Sequence, residues 1–222
     1  AFWHYNDKLA QKYIFEALGI PHIPTFAFYH KKKANTWLEK ADYPLVFKLR
    51  GGASSSNVFL IHNKQEGQKF LRKMFNSGYK PIRSVFSDIS TKAKIHSKER
   101  DWIRTLMRFP VTIRNNMVLR NILPPEKRYF LVQKFLPGNT FDTRVFVMGT
   151  KAIASRRFVR PKDFRASGTG SLNADYDQKK IDRRAVSLAF NASRKLGSYS
   201  MAYDIIYDTD KNPVIVEMSY TM

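Results

Sequence analysis

The sequence predicts an α+β protein, or a mixed α/β one, built on antiparallel sheets. Three observations carry this. Short apolar strand patterns alternate with amphipathic helical ones. Hairpin turns interrupt the alternation. The 222 residues, 43% hydrophobic and 14% aromatic, suffice for a sizeable core. The chain has no internal repeat. No apolar run approaches the roughly 18 residues of a membrane-spanning helix.

The elements follow in order. In residues 6–19, NDKLAQKYIFEALG, Leu9, Tyr13 and Ala17 recur with Ile14 and Leu18 at helical spacing. Asn6 or Asp7 caps this helix, and Gly19 with Pro21 stops it. Residues 44–50 and 57–62 read as strands flanking the loop GGASSSN. Residues 64–76 place Phe70, Leu71, Met74 and Phe75 on one helical face, ended by Ser77 and Gly78. Residues 79–128 carry twelve Lys and Arg against four Asp and Glu, with a helix predicted over 98–108. A solvated insert and a binding surface for an anion both fit that segment. RYFLVQKFL, 128–136, is a strand. A two-residue turn at Gly149-Thr150 then pairs Met148 with Lys151, Arg144 with Ser155 and Asp142 with Arg157. Residues 178–196 form a helix with Ile181, Ala185, Leu188, Ala189, Ala192 and Leu196 as its apolar stripe, ending at Gly197. Two strands, YSMAYDIIY and PVIVEMS, close the chain.

Thirty-nine Lys and Arg against eighteen Asp and Glu give a net charge of +21. That field concentrates anions, whether nucleotides, phosphorylated metabolites, acidic polysaccharides or nucleic acids, without choosing among them. The absence of cysteine excludes disulfides and thiolate-bound metals. It fits a reducing compartment, and the reading is a cytoplasmic protein. The opening AFWHYNDKLAQKY lacks the basic and apolar regions of a signal peptide. It starts without methionine, which leaves room for sequence upstream.

The closing hairpin carries the sharpest chemical signal. A four-residue loop at 209–212 puts Asp204 directly opposite Glu217, with side-chain roots about 5 Å apart on one face. Facing like charges call for a cation, and Mg²⁺ takes one or two carboxylates together with phosphate oxygens. Alternatively, both carboxylates face solvent, or one pairs with a Lys or Arg. The glycine-serine loop offers free amides and hydroxyls for phosphate oxygens, with Lys48 and Arg50 at its base. It is not a Walker A loop, since a strand follows it. QKFLPG, 133–138, ends a strand with exposed backbone suited to a flat heterocycle. Asp142 and Arg157 form either a cross-strand salt bridge or part of a ligand site. Arg144, among apolar neighbours, calls for an anionic partner. The five histidines show no metal-ligand spacing.

In this order the motifs resemble the ATP-grasp superfamily, in the branch of D-alanine–D-alanine ligase, glutathione synthetase and the ribosomal-protein glutamate ligases. NDKLAQKYIFEALGIPHIPT resembles the family's entry helix, whose lysine carries over to Lys8. PLVFKLRGGASSSNV resembles its lysine strand and phosphate lid, which implies nucleotide contacts for Lys48, Gly51, Gly52, Ser54, Ser55 and Ser56. LVQKFLPGNTFDTRVFVMG resembles the adenine hinge, implying Gln133, Lys134, Phe135 and Leu136 as the base-contacting run, with Asp142 near the ribose. IASRRFVRPKDFRASGTGS resembles the arginine-rich hairpin facing phosphates and acceptor, and nominates Arg144, Arg157 and Arg165 as catalytic. YDIIYDTDKNPVIVEMS resembles the terminal metal motif, with Asp204 and Glu217 as Mg²⁺ ligands. Ser219 stands in place of the family's Asn, and Gln133 where Glu is common.

The resemblance implies two α+β subdomains with antiparallel sheets gripping ATP, at residues 1–77 and 129–222. The basic insert 78–128 separates them, and no Rossmann-like domain precedes the entry helix. It implies ATP-dependent carboxylate–amine ligation through an acyl-phosphate, with ATP and Mg²⁺ required. The carboxylate acceptor is expected to be acidic, related to a polysaccharide or a peptide. Two alternatives stay open: an ATP-grasp kinase using an alcohol acceptor, and a non-catalytic basic protein that binds nucleic acid.

Overall fold

The computed structural model describes residues 7–51, 57–80, 124–159, 164–166 and 174–219. Two antiparallel sheets, each backed by helices on one face, enclose a cleft between their other faces. In chain order the elements are α1 (Lys8–Ala17), β1 (Thr25–Phe28), α2 (Lys31–Leu38), β2 (Leu45–Lys48), β3 (Val58–Ile61) and α3 (Lys64–Phe75). There follow β4 (Phe130–Lys134), β5 (Phe141–Met148), β6 (Lys151–Phe158), β7 (Ala174–Asp175), α4 (Arg183–Leu196), β8 (Ser200–Tyr207) and β9 (Pro213–Ser219).

Local chemistry sets the helix ends. The Asp7 carboxylate accepts from the amides of Leu9 and Ala10, as an N-cap should. Asn63 caps α3 through the amide of Glu66. Asp182 caps α4, which starts five residues later than the sequence suggested. Residues 178–180 make a separate 3₁₀ turn under the Asp177 carboxylate instead. Gly197 closes α4 in the left-handed conformation at φ 61°.

The first sheet has the order β1-β4-β2-β3. Leu45, Phe47 and Leu49 point toward α2 and α3, where Ala34, Leu38, Leu71 and Met74 are buried against them. Alternation therefore turns Val46 and Lys48 to the cleft. The strand that opens the 129–222 segment, β4, is hydrogen-bonded into this first sheet between β1 and β2. Its residues Phe130, Leu131 and Val132 are buried on both faces, which only a central position permits.

The second sheet has the order β7-β6-β5-β8-β9. Val145, Val147, Tyr203, Ile205 and Ile215 pack with Ala185, Ala189 and Ala192 of α4. The opposite face carries Asp142, Arg144, Arg157, Asp204 and Glu217. The predicted pairs Met148–Lys151, Arg144–Ser155 and Asp142–Arg157 all occur, as does Asp204–Glu217. The route to that last pair differs from the sequence reading. Tyr207 pairs with Pro213, so the loop holds five residues, and a bulge between Ile205 and Asp204 then skips Val216. The bulge restores the register that the longer loop had displaced.

The outer edge of β9 is not open. The Gln11 side chain donates to the Met218 carbonyl at 2.9 Å and accepts from the Met218 amide at 3.1 Å. Farther along, the amide of Ile23 donates to the Ile215 carbonyl, and the amide of Ile215 donates to the Pro21 carbonyl.

The predicted helix at 98–108 lies outside the described residues, as do Gly52, Ser54, Ser55 and Ser56. No described helix is long and apolar enough to cross a membrane.

Candidate active site

A cavity of about 280 Å³ lies between the two sheets. At one end it is apolar, lined by Ile23, Val46, Phe135, Leu136 and Ile206. At the other it is charged, lined by Lys48, Asp142, Asp204 and Glu217. Gln133 and Lys134, at the end of β4, lead into the connection 135–140 that joins the sheets and forms the apolar end. The Asn139 side chain fixes this connection by bonding the Leu136 carbonyl and both backbone groups of Tyr207. Phe164 and Arg165, from the loop after β6, also line the cavity, and Phe164 meets Phe135 edge to face at 6.3 Å.

Each cluster of charge follows from register. Lys48 is only 4% exposed. Burial lowers its pKa to about 8, against the opposing pull of Glu217 and Asp204, with Lys8 adding to the lowering. Lys8, in the first turn of α1, lies 3.2 Å from the Glu217 carboxylate. Because β5 pairs with both β6 and β8, Arg144 and Arg157 reach Asp204 from neighbouring strands. Arg144 donates to Asp204 at 2.9 Å and to the Ser219 hydroxyl at 2.9 Å. Arg157 grips Asp142 with two bonds of 2.6 and 2.7 Å and lies 2.9 Å from the other Asp204 oxygen. Burial raises the Asp142 pKa to about 6, the Arg157 bonds oppose that shift, and Asp204 adds to it.

The cation that the facing carboxylates call for is therefore supplied by side chains: arginines at Asp204 and lysine at Glu217. Of the two readings of Asp142 and Arg157, this structure contains the salt bridge. Among the described residues no group of three or more His, Cys, Asp or Glu is arranged to hold a metal. Asp204 and Glu217 offer oxygen donors alone. Together with nucleotide phosphate oxygens and water, two such carboxylates are what Mg²⁺ accepts, so the donor chemistry fits that ion.

The base of the glycine-serine loop is built by residues the sequence reading passed over. The Glu126 carboxylate accepts from the amides of Arg50 and Gly51 at 2.9 and 3.0 Å and from the Tyr129 hydroxyl. A Cβ at Gly51 would meet that carboxylate at 2.9 Å, so a larger residue there would have to displace the end of the Glu126 side chain. The Arg50 side chain turns back to Asp7, 2.5 Å away. The lone glutamate shortly before Tyr129, in a segment otherwise so basic, was the available signal for Glu126.

No protein-family model matches the chain, and a search of curated proteins finds no match. Solved structures do match. A RimK domain ATP-grasp protein from Sphaerobacter thermophilus aligns over 98% of this chain and 58% of its own, at 15% identity and TM-score 0.56. D-alanine–D-alanine ligase from Bacillus anthracis aligns over 97% and 57%, at 16% identity and TM-score 0.56. Phosphoribosylamine–glycine ligase from Thermotoga maritima aligns over 99% and 48%, at 14% identity and TM-score 0.62. The chain thus spans about half the length of the structures it matches, and within that span it has the fold of the ATP-grasp superfamily.

Proposed function

We propose that this chain binds ATP in the cleft between its sheets and activates a carboxylate for attack by an amine. The observation that carries the reading is the two-ended cavity: an apolar end at the 133–136 connection, and a charged end where buried Lys48 faces Asp204 and Glu217. A nucleoside triphosphate has that division, a flat base joined to a polyanion. The similar structures support the reaction class, since four are named as ligases, and a biotin carboxylase domain of a 2-oxoglutarate carboxylase among them holds MgADP and bicarbonate.

In this reaction a carboxylate oxygen takes the γ-phosphoryl group, releasing ADP and leaving an acyl-phosphate. An amine then attacks the carbonyl carbon, and phosphate leaves as the amide forms. The chain's contribution is positioning and charge. Gln133, Lys134, Phe135 and Leu136 seat the base, with Asp142 toward the ribose. Lys48 and Lys8 neutralise phosphate oxygens, joined by the loop from Gly51 through Gly52, Ser54, Ser55 and Ser56. Asp204 and Glu217, with Ser219 beside them, are the residues for Mg²⁺, which when bound supplies further neutralisation of phosphate charge. Arg144 and Arg157 then become available to the transferring group or the acceptor carboxylate, and Arg165 adds a cation at the mouth. The further expectation of an acidic acceptor linked to polysaccharide or peptide rests on the charge of residues 79–128.

Calorimetric titration with Mg-AMPPNP tests the site. Metal-dependent binding, weakened at least about tenfold in Lys48→Ala and in Glu217→Gln, is the expected result. No binding by a folded parent protein overturns the reading.

A further inference from the structure

The cleft face of the second sheet extends well past the nucleotide end. Cross-strand pairing arranges its side chains in rows. Ser155, Arg144, Asp204 and Glu217 form the charged row. The next row toward the β5–β6 turn is Ile153, Phe146, Ala202 and Ser219, and the one after is Lys151, Met148 and Ser200. Each row lies about 7 Å from the last, two residues along a strand. These two outer rows contain no acidic side chain. Ile153 is 54% exposed and Met148 45% exposed, although α4 covers the other face of the same strands. Arg144 stands at the border: its guanidinium bonds Asp204 and Ser219 and also lies 5.1 Å from the centre of the Phe146 ring.

We infer that this strip receives the body of the acceptor, and that the acceptor is a carboxylate carrying an extended apolar group about 7–13 Å long. The inference rests on the proposed ligase reading and deepens it. A carboxylate paired with the guanidinium donors of Arg144 and Arg157 sits at the charged row. A chain continuing from it along the strands crosses Phe146 and Ile153 before reaching Met148. Uncharged polar acceptors gain less there, because the strip's hydrogen-bonding side chains are Ser219, already held by Arg144, and Ser200 and Lys151 at its far end. Apolar acceptors gain by removing Phe146, Ile153 and Met148 from water. The expectation of an acidic acceptor is thereby narrowed to a single carboxylate at one end.

The test uses a series of plain carboxylates titrated calorimetrically into the protein saturated with Mg-AMPPNP: acetate, butyrate, hexanoate and glutarate. Hexanoate is expected to bind at least about tenfold more tightly than acetate and more tightly than glutarate. Ile153→Ser and Met148→Ser are expected to bring hexanoate to within about twofold of acetate while leaving Mg-AMPPNP affinity unchanged, which also shows that both variants are folded. A flat series, preference for glutarate, or a hexanoate gain that survives both substitutions overturns the inference. If the parent fails to bind Mg-AMPPNP, the nucleotide reading fails separately. The same series on nucleotide-free protein then decides whether the strip binds apolar carboxylates.

Discussion

Lys48 reaches the cleft because the residues on either side of it, Phe47 and Leu49, belong to the opposite, helix-backed face of β2. Its lowered pKa, about 8, has a measurable consequence. Phosphates arriving beside it favour the ammonium form, so binding above pH 8 must draw a proton from solution. Mg-AMPPNP titrations at pH 8.5 in buffers of different ionisation enthalpy are expected to show uptake of up to about three-quarters of a proton per site. At pH 6.5 they should show none from this group, and affinity should fall as pH rises through about 8. Lys48→Ala should abolish the uptake. Arg157 is a different case, since it stands between two carboxylates. Arg157→Met is expected to destabilise the fold by about 3 kcal/mol, read from denaturant midpoints, because Asp142 and Asp204 lose a shared partner in a largely dry site. Counting along the hairpin put Asp204 opposite Glu217, and the pair holds because a bulge offsets a loop one residue longer than that count assumed. Their counter-ions were not legible: Arg144 and Arg157 reach Asp204 through the β5–β8 pairing, and no local pattern announces which distant strands will be neighbours.

Among the elements, those with strong end signals were legible and those without were not. Asp7 and Gly197 marked helix ends that the structure retains. The segment 25–38 was missed: β1 has only four residues, and α2 begins with three lysines against the helix dipole. Its preceding His30 makes no side-chain cap. Burial of Ala34 and Leu38 against α3 holds it instead, a tertiary cause absent from local sequence. Two glycines separate conformational from steric strain. Gly197 at φ 61° has open space where a Cβ would go, so Gly197→Ala should cost about 1 kcal/mol. Gly78 at φ 75° would place a Cβ 2.5 Å from the Glu126 carbonyl oxygen. Gly78→Ala should therefore cost clearly more than Gly197→Ala in the same thermal or denaturant scan.

For the whole molecule, the order of the chain and the order of the sheet disagree. The first sheet takes in β4 from beyond the basic insert, between two strands that precede that insert. Residues 7–80 thus lack the middle strand of their own sheet, and as a separate polypeptide they are expected to give the circular dichroism of an unfolded chain. The sequence reading grouped 130–134 with the later hairpins because it adjoins them in the chain. Its unbroken apolar run Phe130-Leu131-Val132, better suited to a strand buried on both faces, was the clue to its central place.

The two bonds between Gln11 and Met218 have a meaning beyond the fold. Together with the backbone at 21–23 they occupy the donors and acceptors along β9 that another strand would otherwise seek. At the far side of the same sheet, β7 is only two residues long and offers almost no template. A side-chain amide on a helix thus serves as a guard against self-association. Gln11→Leu should destabilise the fold by about 1–3 kcal/mol, since the buried Met218 amide and carbonyl lose their partner. It should also promote self-association with rising concentration, visible in light scattering and in binding of an amyloid-sensitive dye. A protein that stays monodisperse after that change would show that residues 21–23 suffice.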